Sequence, residues 1–151
     1  MANLTVDRNL KKIGPGIDES GIALSELEPG DVVEDRGGGE YDVAPEDFQG
    51  TPAVVLNEYP PEDDVIEADS GIKVRVSGMA IVETATDESV NSGDLVASAG
   101  NGKVKAITET EVTGVGSESA DGSLLGQALS TAIGVAKTTA AEEEELVIKM
   151  L

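Results

Sequence analysis

The chain contains no cysteine, no histidine and no tryptophan. Without cysteine, neither a disulfide framework nor a thiolate metal site can form. Without histidine or cysteine, the commonest acid–base relays and nucleophile triads drop out. Rings are confined to Tyr41, Phe48 and Tyr59, which leaves little for stacking on sugars, bases or drug-like ligands. Basic residues are scarce as well: ten Lys and Arg stand against thirty Asp and Glu, a net charge of -20. Neutralising a phosphate backbone takes clustered Lys and Arg, so nucleic acid is not an expected partner. No apolar run approaches the roughly 20 residues that span a bilayer, and residues 2–12, ANLTVDRNLKK, lack the apolar stretch of a signal peptide. The expectation is a soluble protein made in the cytoplasm, with no membrane partner.

What is present is aliphatic and acidic. Val, Ile, Leu and Ala must build nearly the whole core of the 151 residues, a length that suits one domain or two very small ones. Apolar runs of strand length recur between turn signals, which speaks against disorder as the reason for the high charge. A surface covered in Asp and Glu with little Lys stays soluble in molar salt, where the Debye length is about 3 Å and self-repulsion is screened. The composition is therefore that of a salt-adapted protein.

Residues 1–20 differ from the rest. Arg8, Lys11 and Lys12 lie close together, and the breaker Gly14-Pro15-Gly16 follows. Chain ends usually fray; the functional alternative is a flexible basic arm that orders on an acidic neighbour. From Gly21 the apolar period is two. Segments 31–35, 40–44, 53–57, 72–77, 79–84, 95–98, 103–108 and 146–151 read as strands. Gly37-Gly38-Gly39, Glu58-Tyr59-Pro60-Pro61, Asn91-Ser92-Gly93 and Asn101-Gly102 separate them. Only 124–136 has room for helix, and its glycines and scattered Thr and Ser limit that to short pieces. The fold class is all-β: a small barrel or sandwich of short antiparallel strands spanning 21–151.

One stretch occurs twice. Gly30 to Ala44, GDVVEDRGGGEYDVA, aligns without a gap on Gly93 to Ile107, GDLVASAGNGKVKAI. Gly30-Asp31 lies over Gly93-Asp94, Gly37 over Gly100, and Gly39 over Gly102. The unit is a hairpin: a Gly-Asp corner, a strand, a Gly-rich turn such as Asn101-Gly102, and a returning strand. The pattern suggests an internal duplication of 30–44 as 93–107. Upstream, Gly21-Ile22-Ala23-Leu24 echoes Gly78-Met79-Ala80-Ile81 at a different spacing.

Chemistry is harder to find. Carboxylates neighbour one another at Glu34-Asp35, Glu62-Asp63-Asp64 and Glu142 to Glu145. With thirty acids, such neighbours arise everywhere, so they do not mark a glycosidase pair. No segment alternates ligands as a calcium loop does, and no Lys-Ser/Thr follows the glycines of 37–39 as a phosphate loop requires. Catalytic, cofactor-binding and metal-binding residues are all read as none, and the chain as not an enzyme.

Across residues 71–151, five short motifs stand in a familiar order: Gly78-Met79-Ala80, Gly93-Asp94-Leu95-Val96, Gly102-Lys103, Gly126-Gln127-Ala128-Leu129 and the closing Leu146 to Leu151. Together they resemble the capsid cement, or head decoration, proteins of tailed double-stranded DNA viruses. Two features depart from that pattern: Ala141-Glu142 replaces a Gly-Glu turn, and Ile133 to Lys137 is extra. The resemblance implies a β-tulip-like barrel that forms homotrimers on the outer surface of an icosahedral virion and bridges major capsid protein subunits. It also implies an N-terminal arm that orders on the capsid through Arg8, Lys11 and Lys12. Joined to the acidic composition, it points to a haloarchaeal virus, with synthesis in the host cytoplasm. Two alternatives remain open: a tail-tube, turret or vertex protein of the same virion, and a barrel-sandwich carrier domain modified on Lys103 at the hairpin tip.

Overall fold

The computed structural model describes residues 6–7, 11–57, 65–107 and 131–151. Among these the chain is all-β, with ten strands and no helix. In chain order they are β1 (Val6–Asp7), β2 (Lys12–Ala23), β3 (Val32–Gly37), β4 (Glu40–Val43), β5 (Pro52–Val55), β6 (Gly71–Glu83), β7 (Leu95–Gly100), β8 (Lys103–Ala106), β9 (Ala132–Ala136) and β10 (Glu145–Met150).

The strands join one sheet in the order β1-β2-β4-β3-β5-β6-β10-β9-β7-β8, and β2 also pairs with β6. The extra pairing returns the path β2-β4-β3-β5-β6 to its start, which makes a barrel-like ring. A second path, β6-β10-β9-β7-β8, returns to the end of β6 through a parallel bridge between Thr84 and Val104. We call these lobe 1 and lobe 2. Their common member is β6, whose first half closes lobe 1 and whose second half opens lobe 2, with Gly78 at φ 105° between them.

The two lobes repeat each other pairing for pairing. In β3–β4 the partners are Val33↔Val43, Glu34↔Asp42, Asp35↔Tyr41 and Gly37↔Glu40; in β7–β8 they are Val96↔Ala106, Ala97↔Lys105, Ser98↔Val104 and Gly100↔Lys103. Each hairpin has its bulge at the same step, and the three turn residues of each, 37–39 and 100–102, all have positive φ. The correspondence runs past the hairpins. Val54↔Arg75 and Val55↔Val74 in β5–β6 match Val135↔Lys149 and Ala136↔Ile148 in β9–β10. The bridge Leu27↔Ile66 matches Val90↔Ala140.

Each ring encloses its own aliphatic core. Lobe 1 buries Ala23, Leu27, Val33, Tyr41, Ala53, Val55, Ile66, Ile72 and Val74 together. The lobe 2 core includes Val90, Val96, Val104, Ala136, Ala140, Leu146 and Ile148, and it also takes in Val32, Ala44, Phe48 and Val54 from the outer side of lobe 1. The lobes are thus packed on each other as well as sharing a strand. Burying a Val, Leu or Ile side chain contributes about 1.5–3 kcal/mol, so a core almost without rings still holds.

Four local expectations are corrected. Residues 12–20 belong to β2 rather than to a flexible arm; they ladder against β6 from Lys12↔Ala80 to Ser20↔Lys73, with irregularities that absorb Gly14-Pro15-Gly16. Segments 72–77 and 79–84 are one strand, because Gly78 bends the ladder without ending it. Ala132–Ala136 is a strand, because the repeat demands a counterpart to β5 there; residues 124–130 of the possible helix lie outside the described residues. The echo between Gly21–Leu24 and Gly78–Ile81 is out of register. Ladder positions equate Ile22↔Gly71 with Glu83↔Glu145, so Gly21 to Leu24 correspond to Val82 to Ala85. The Glu62-Asp63-Asp64 cluster and Tyr59-Pro60-Pro61 lie outside the described residues.

Candidate functional site

The Gly-Asp corners are built alike. In Glu28-Pro29-Gly30-Asp31 and Asn91-Ser92-Gly93-Asp94 the glycine has φ 94° and 95°. Such values are routine only for glycine. The aspartate N–H donates to the carbonyl of the first residue at 3.0 Å in both corners. Its carboxylate accepts the N–H of that first residue, at 2.8 Å for Asp31 and 2.9 Å for Asp94. Each corner turns the chain into the next strand and leaves no orphaned donor. A third corner, 141–144, uses the same bonds with Glu144 in the aspartate's place and Glu143 at φ 59°. It carries no glycine, which is why the sequence did not reveal it.

The turns differ in their surroundings. Gly37, Gly38 and Gly39 form an exposed tip on lobe 1. The lobe 2 tip is docked: the Gly102 carbonyl accepts the Val32 N–H at 2.9 Å, and a Cβ added to Gly102 would sit 2.5 Å from Asp31 Oδ1. Further along, Asp47 N–H donates to the Ser98 carbonyl at 3.0 Å and Ser98 Oγ–H to the Ala44 carbonyl at 3.3 Å. Lys105 Nζ lies 3.1 Å from Glu46 Oε1 and 3.2 Å from Asp47. Of the residues singled out from sequence, the joint between the lobes therefore brings Gly30, Asp31, Asn101 and Gly102 together, while Gly93 and Asp94 lie away from it on lobe 2.

Burial at the joint pushes the Asp31 carboxyl up to about 6, against the opposing pull of the Glu28 N–H and the Lys103 charge. Lys103 itself pairs with Glu83 at 3.2 Å, and its side chain is only 28% exposed. It stands beside the packed tip rather than on a free, swinging one, which removes the setting a modifiable carrier lysine needs.

The basic segment is likewise engaged. Lys11 Nζ lies 2.8 Å from Glu145 and Lys12 Nζ 3.3 Å from Asp18; Arg8 lies outside the described residues. Sequence reasoning missed Arg75, whose guanidinium is buried where β2 crosses β6. It donates to Asp18 at 2.8 Å and to the carbonyls of Ile13, Gly14 and Met79 at 3.0–3.1 Å. Burial raises the Asp18 carboxyl, but hydrogen bonds and charge from Arg75 and Lys12 outweigh it and hold the group below the usual carboxylate range. Among the described residues, no three acidic, histidine or cysteine side chains gather as a metal site would require. The arrangement holds lobes together and presents acidic, turn-bounded surfaces.

No protein-family model matches the chain, and no curated protein matches it. Among solved structures the chain is similar to the head fiber gp8.5 N base of bacteriophage phi29, with a TM-score of 0.57 at 12% identity, over 89% of this chain and 93% of that one. The likeness is one of fold, and it runs through nearly the whole of both chains.

Proposed function

We propose that this chain is a non-enzymatic virion structural protein that sits on the outer surface of an icosahedral capsid and stabilises it by bridging major capsid subunits. One observation carries the reading: the fold likeness to the base of a phage head fiber extends over 89% of this chain. A role as a base on a shell suits the two-lobed sheet, whose lobes share β6 and pack on each other. Its corners are closed by their own side chains, Lys11, Lys12, Arg36, Arg75, Lys103 and Lys105 are engaged in internal ion pairs, and the lobe 2 core extends across the joint to Val32 and Val54. The acidic surface fits a haloarchaeal virus, in which screening lets a chain of charge -20 pack against neighbours. A homotrimer on three-fold positions would multiply weak shell contacts through avidity. With Lys11 and Lys12 engaged in ion pairs, the proposed shell contact of the arm rests on Arg8 and the residues around it.

The test is to purify particles, quantify this chain against the main shell protein, and locate it by electron microscopy. Many copies per particle at three-fold positions agree with the proposal. A few copies at one vertex or on the tail would replace it with the turret or tail reading, and absence from particles would remove it.

A further inference from the structure

Each lobe carries two surfaces, and within the chain each kind is used once. Lobe 1 supplies an outward cross-strand row, Val32 and Val54, both 0% exposed. Lobe 2 supplies a socket that includes Ala106 and Met150, and row and socket fall in one buried cluster. The ladder registers identify the unused equivalents. On lobe 2 the row is Leu95 and Val135, and on lobe 1 the socket is Val43 and Val76. All four are only partly buried. Val43 and Val76 pack on the lobe 1 core on one side, and both they and the Leu95–Val135 row stay partly exposed, apolar and on opposite lobes.

We propose that a second copy of this chain docks by repeating this joint head to tail. The Leu95–Val135 row of one copy meets Val43 and Val76 of the next. The Gly37–Gly39 tip of the second copy then lies at the Gly93–Asp94 corner of the first, as Gly102 lies at Asp31 within the chain. Such a contact uses different patches on its two sides, so it either closes a ring or runs on as a filament. It deepens the homotrimer part of the proposed function, for which it supplies the interface, and it stands apart from the question of a shell.

The electrostatics set its conditions. Within the chain, Lys103 and Lys105 face Asp31, Glu46 and Asp47. Between copies, Glu40 and Asp42 take the places of those two lysines, opposite a corner that bears Asp94. Arg36, beside the tip and 51% exposed, is already paired with Glu34 and Asp42, and Lys149, beside Val135 on the row, is an exposed cation at the contact. Apolar contact therefore has to overcome like-charge repulsion, and the association needs salt.

Light scattering on the eluting peak in molar and low KCl tests this, with Val135→Glu and Val43→Glu as variants. The wild type is expected to associate in molar salt and dissociate in low salt, and each variant to be monomeric in both. Mixing the two variants is expected to restore a dimer and nothing larger, because each contributes the half that the other lacks. Lys149→Glu, exposed on the row beside Val135, and Arg36→Glu, at the tip, repeat the experiment without touching a core should either first variant unfold. A monomeric wild type in molar salt, variants that keep the wild-type mass, or a mixture that stays monomeric would each overturn the proposal. A monomer found in particles would remove this contact and leave the virion reading standing; an oligomer absent from particles would do the reverse.

Discussion

Gly102, at the tip of the second hairpin, rests against the Asp31 carboxylate at the corner of the first, with its carbonyl bonded to the Val32 N–H at 2.9 Å. Two residues that occupy different parts of a repeated unit, in different copies of it, thus form the contact by which the copies hold each other.

Gly39 and Gly102 provide a controlled comparison, because they occupy the same turn position with φ of 80° and 81°. Either one changed to alanine pays the left-handed penalty, about 1–2 kcal/mol. At Gly39 nothing lies within 4 Å of the new Cβ, whereas at Gly102 it would meet Asp31 Oδ1 at 2.5 Å. Gly102→Ala is expected to lower the free energy of unfolding by roughly 2 kcal/mol more than Gly39→Ala, in line with the overpacking range. Urea titration of both variants measures the difference. Equal losses would show that the joint does not bear on this contact.

Asp31 should make the fold respond to pH against the common trend. Its carboxyl is raised from 3.8 to about 6 in the folded chain by burial. The folded state therefore binds the extra proton between those values, and stability falls as pH rises through that window. The contribution is on the order of 2–3 kcal/mol if the shift is fully expressed. Asp31→Asn keeps an acceptor for the Glu28 N–H and cannot ionise, so it should flatten the profile between pH 4 and 6 and raise stability at pH 7. Chemical denaturation across that range checks it. A variant less stable than wild type at pH 7 would mean that the charge is needed at the joint.

How much of this was legible in the sequence follows from what a residue was conserving between the two copies. Gly30, Gly93, Gly37 and Gly100 fix backbone angles that few other residues tolerate, and Asp31 and Asp94 close their corners with a side chain, so these positions stayed alike and the hairpins could be read. Packing positions tolerate exchange as long as volume is shared out among neighbours. Ala53 corresponds to Gly134 and Val74 to Ile148, so the repeat beyond the hairpins was invisible without ladders. β2 hid behind Gly14-Pro15-Gly16, a breaker in isolation that the sheet accommodates as an irregularity. The joint was illegible for a different reason: it depends on which tip meets which corner, and both tips and both corners look suited to it.

Arg75 is the one buried cation among the described residues, and it gathers Asp18 and three carbonyls where the first half of β2 leaves lobe 1 for lobe 2. Arg75→Met would leave those three carbonyls without their donor and Asp18 with Lys12 alone, a loss of about 1–3 kcal/mol. Arg75→Lys should recover part of it, because an ammonium cannot serve four acceptors in that plane. Thermal unfolding of the two variants ranks them. A methionine variant as stable as wild type would show that packing rather than charge holds the crossing.

Truncation should separate shell binding from folding. Removing residues 1–10 takes away the two-residue ladder of β1 and the proposed shell-contacting part of the arm, so the fold is expected to survive and particle occupancy to fall. Removing residues 1–16 also deletes Lys12↔Ala80, Ile13↔Met79 and two of the carbonyls that Arg75 holds. That longer deletion is expected to unfold at markedly lower temperature. Melting curves and particle-binding assays on both truncations distinguish the roles, and wild-type occupancy by the shorter one would take the arm out of the shell contact.

Salt acts on this chain in two opposing directions, and the charge count decides which prevails. Pairs such as Lys11–Glu145 and Lys105–Glu46 are weakened by screening, but exposed pairs contribute only about 0–1 kcal/mol each. Against them stands the mutual repulsion of thirty acids with ten basic partners. Screening shortens its reach from about 8 Å at physiological ionic strength to about 3 Å in molar salt. Because the folded state crowds those acids together, relief of repulsion should outweigh the loss of pairs, and the melting temperature should climb steadily from low to molar KCl. Calorimetry over that range reads the sign directly. A melting temperature that falls with added salt would mean that the internal ion pairs dominate, and the acidic surface would then need an explanation other than life in brine.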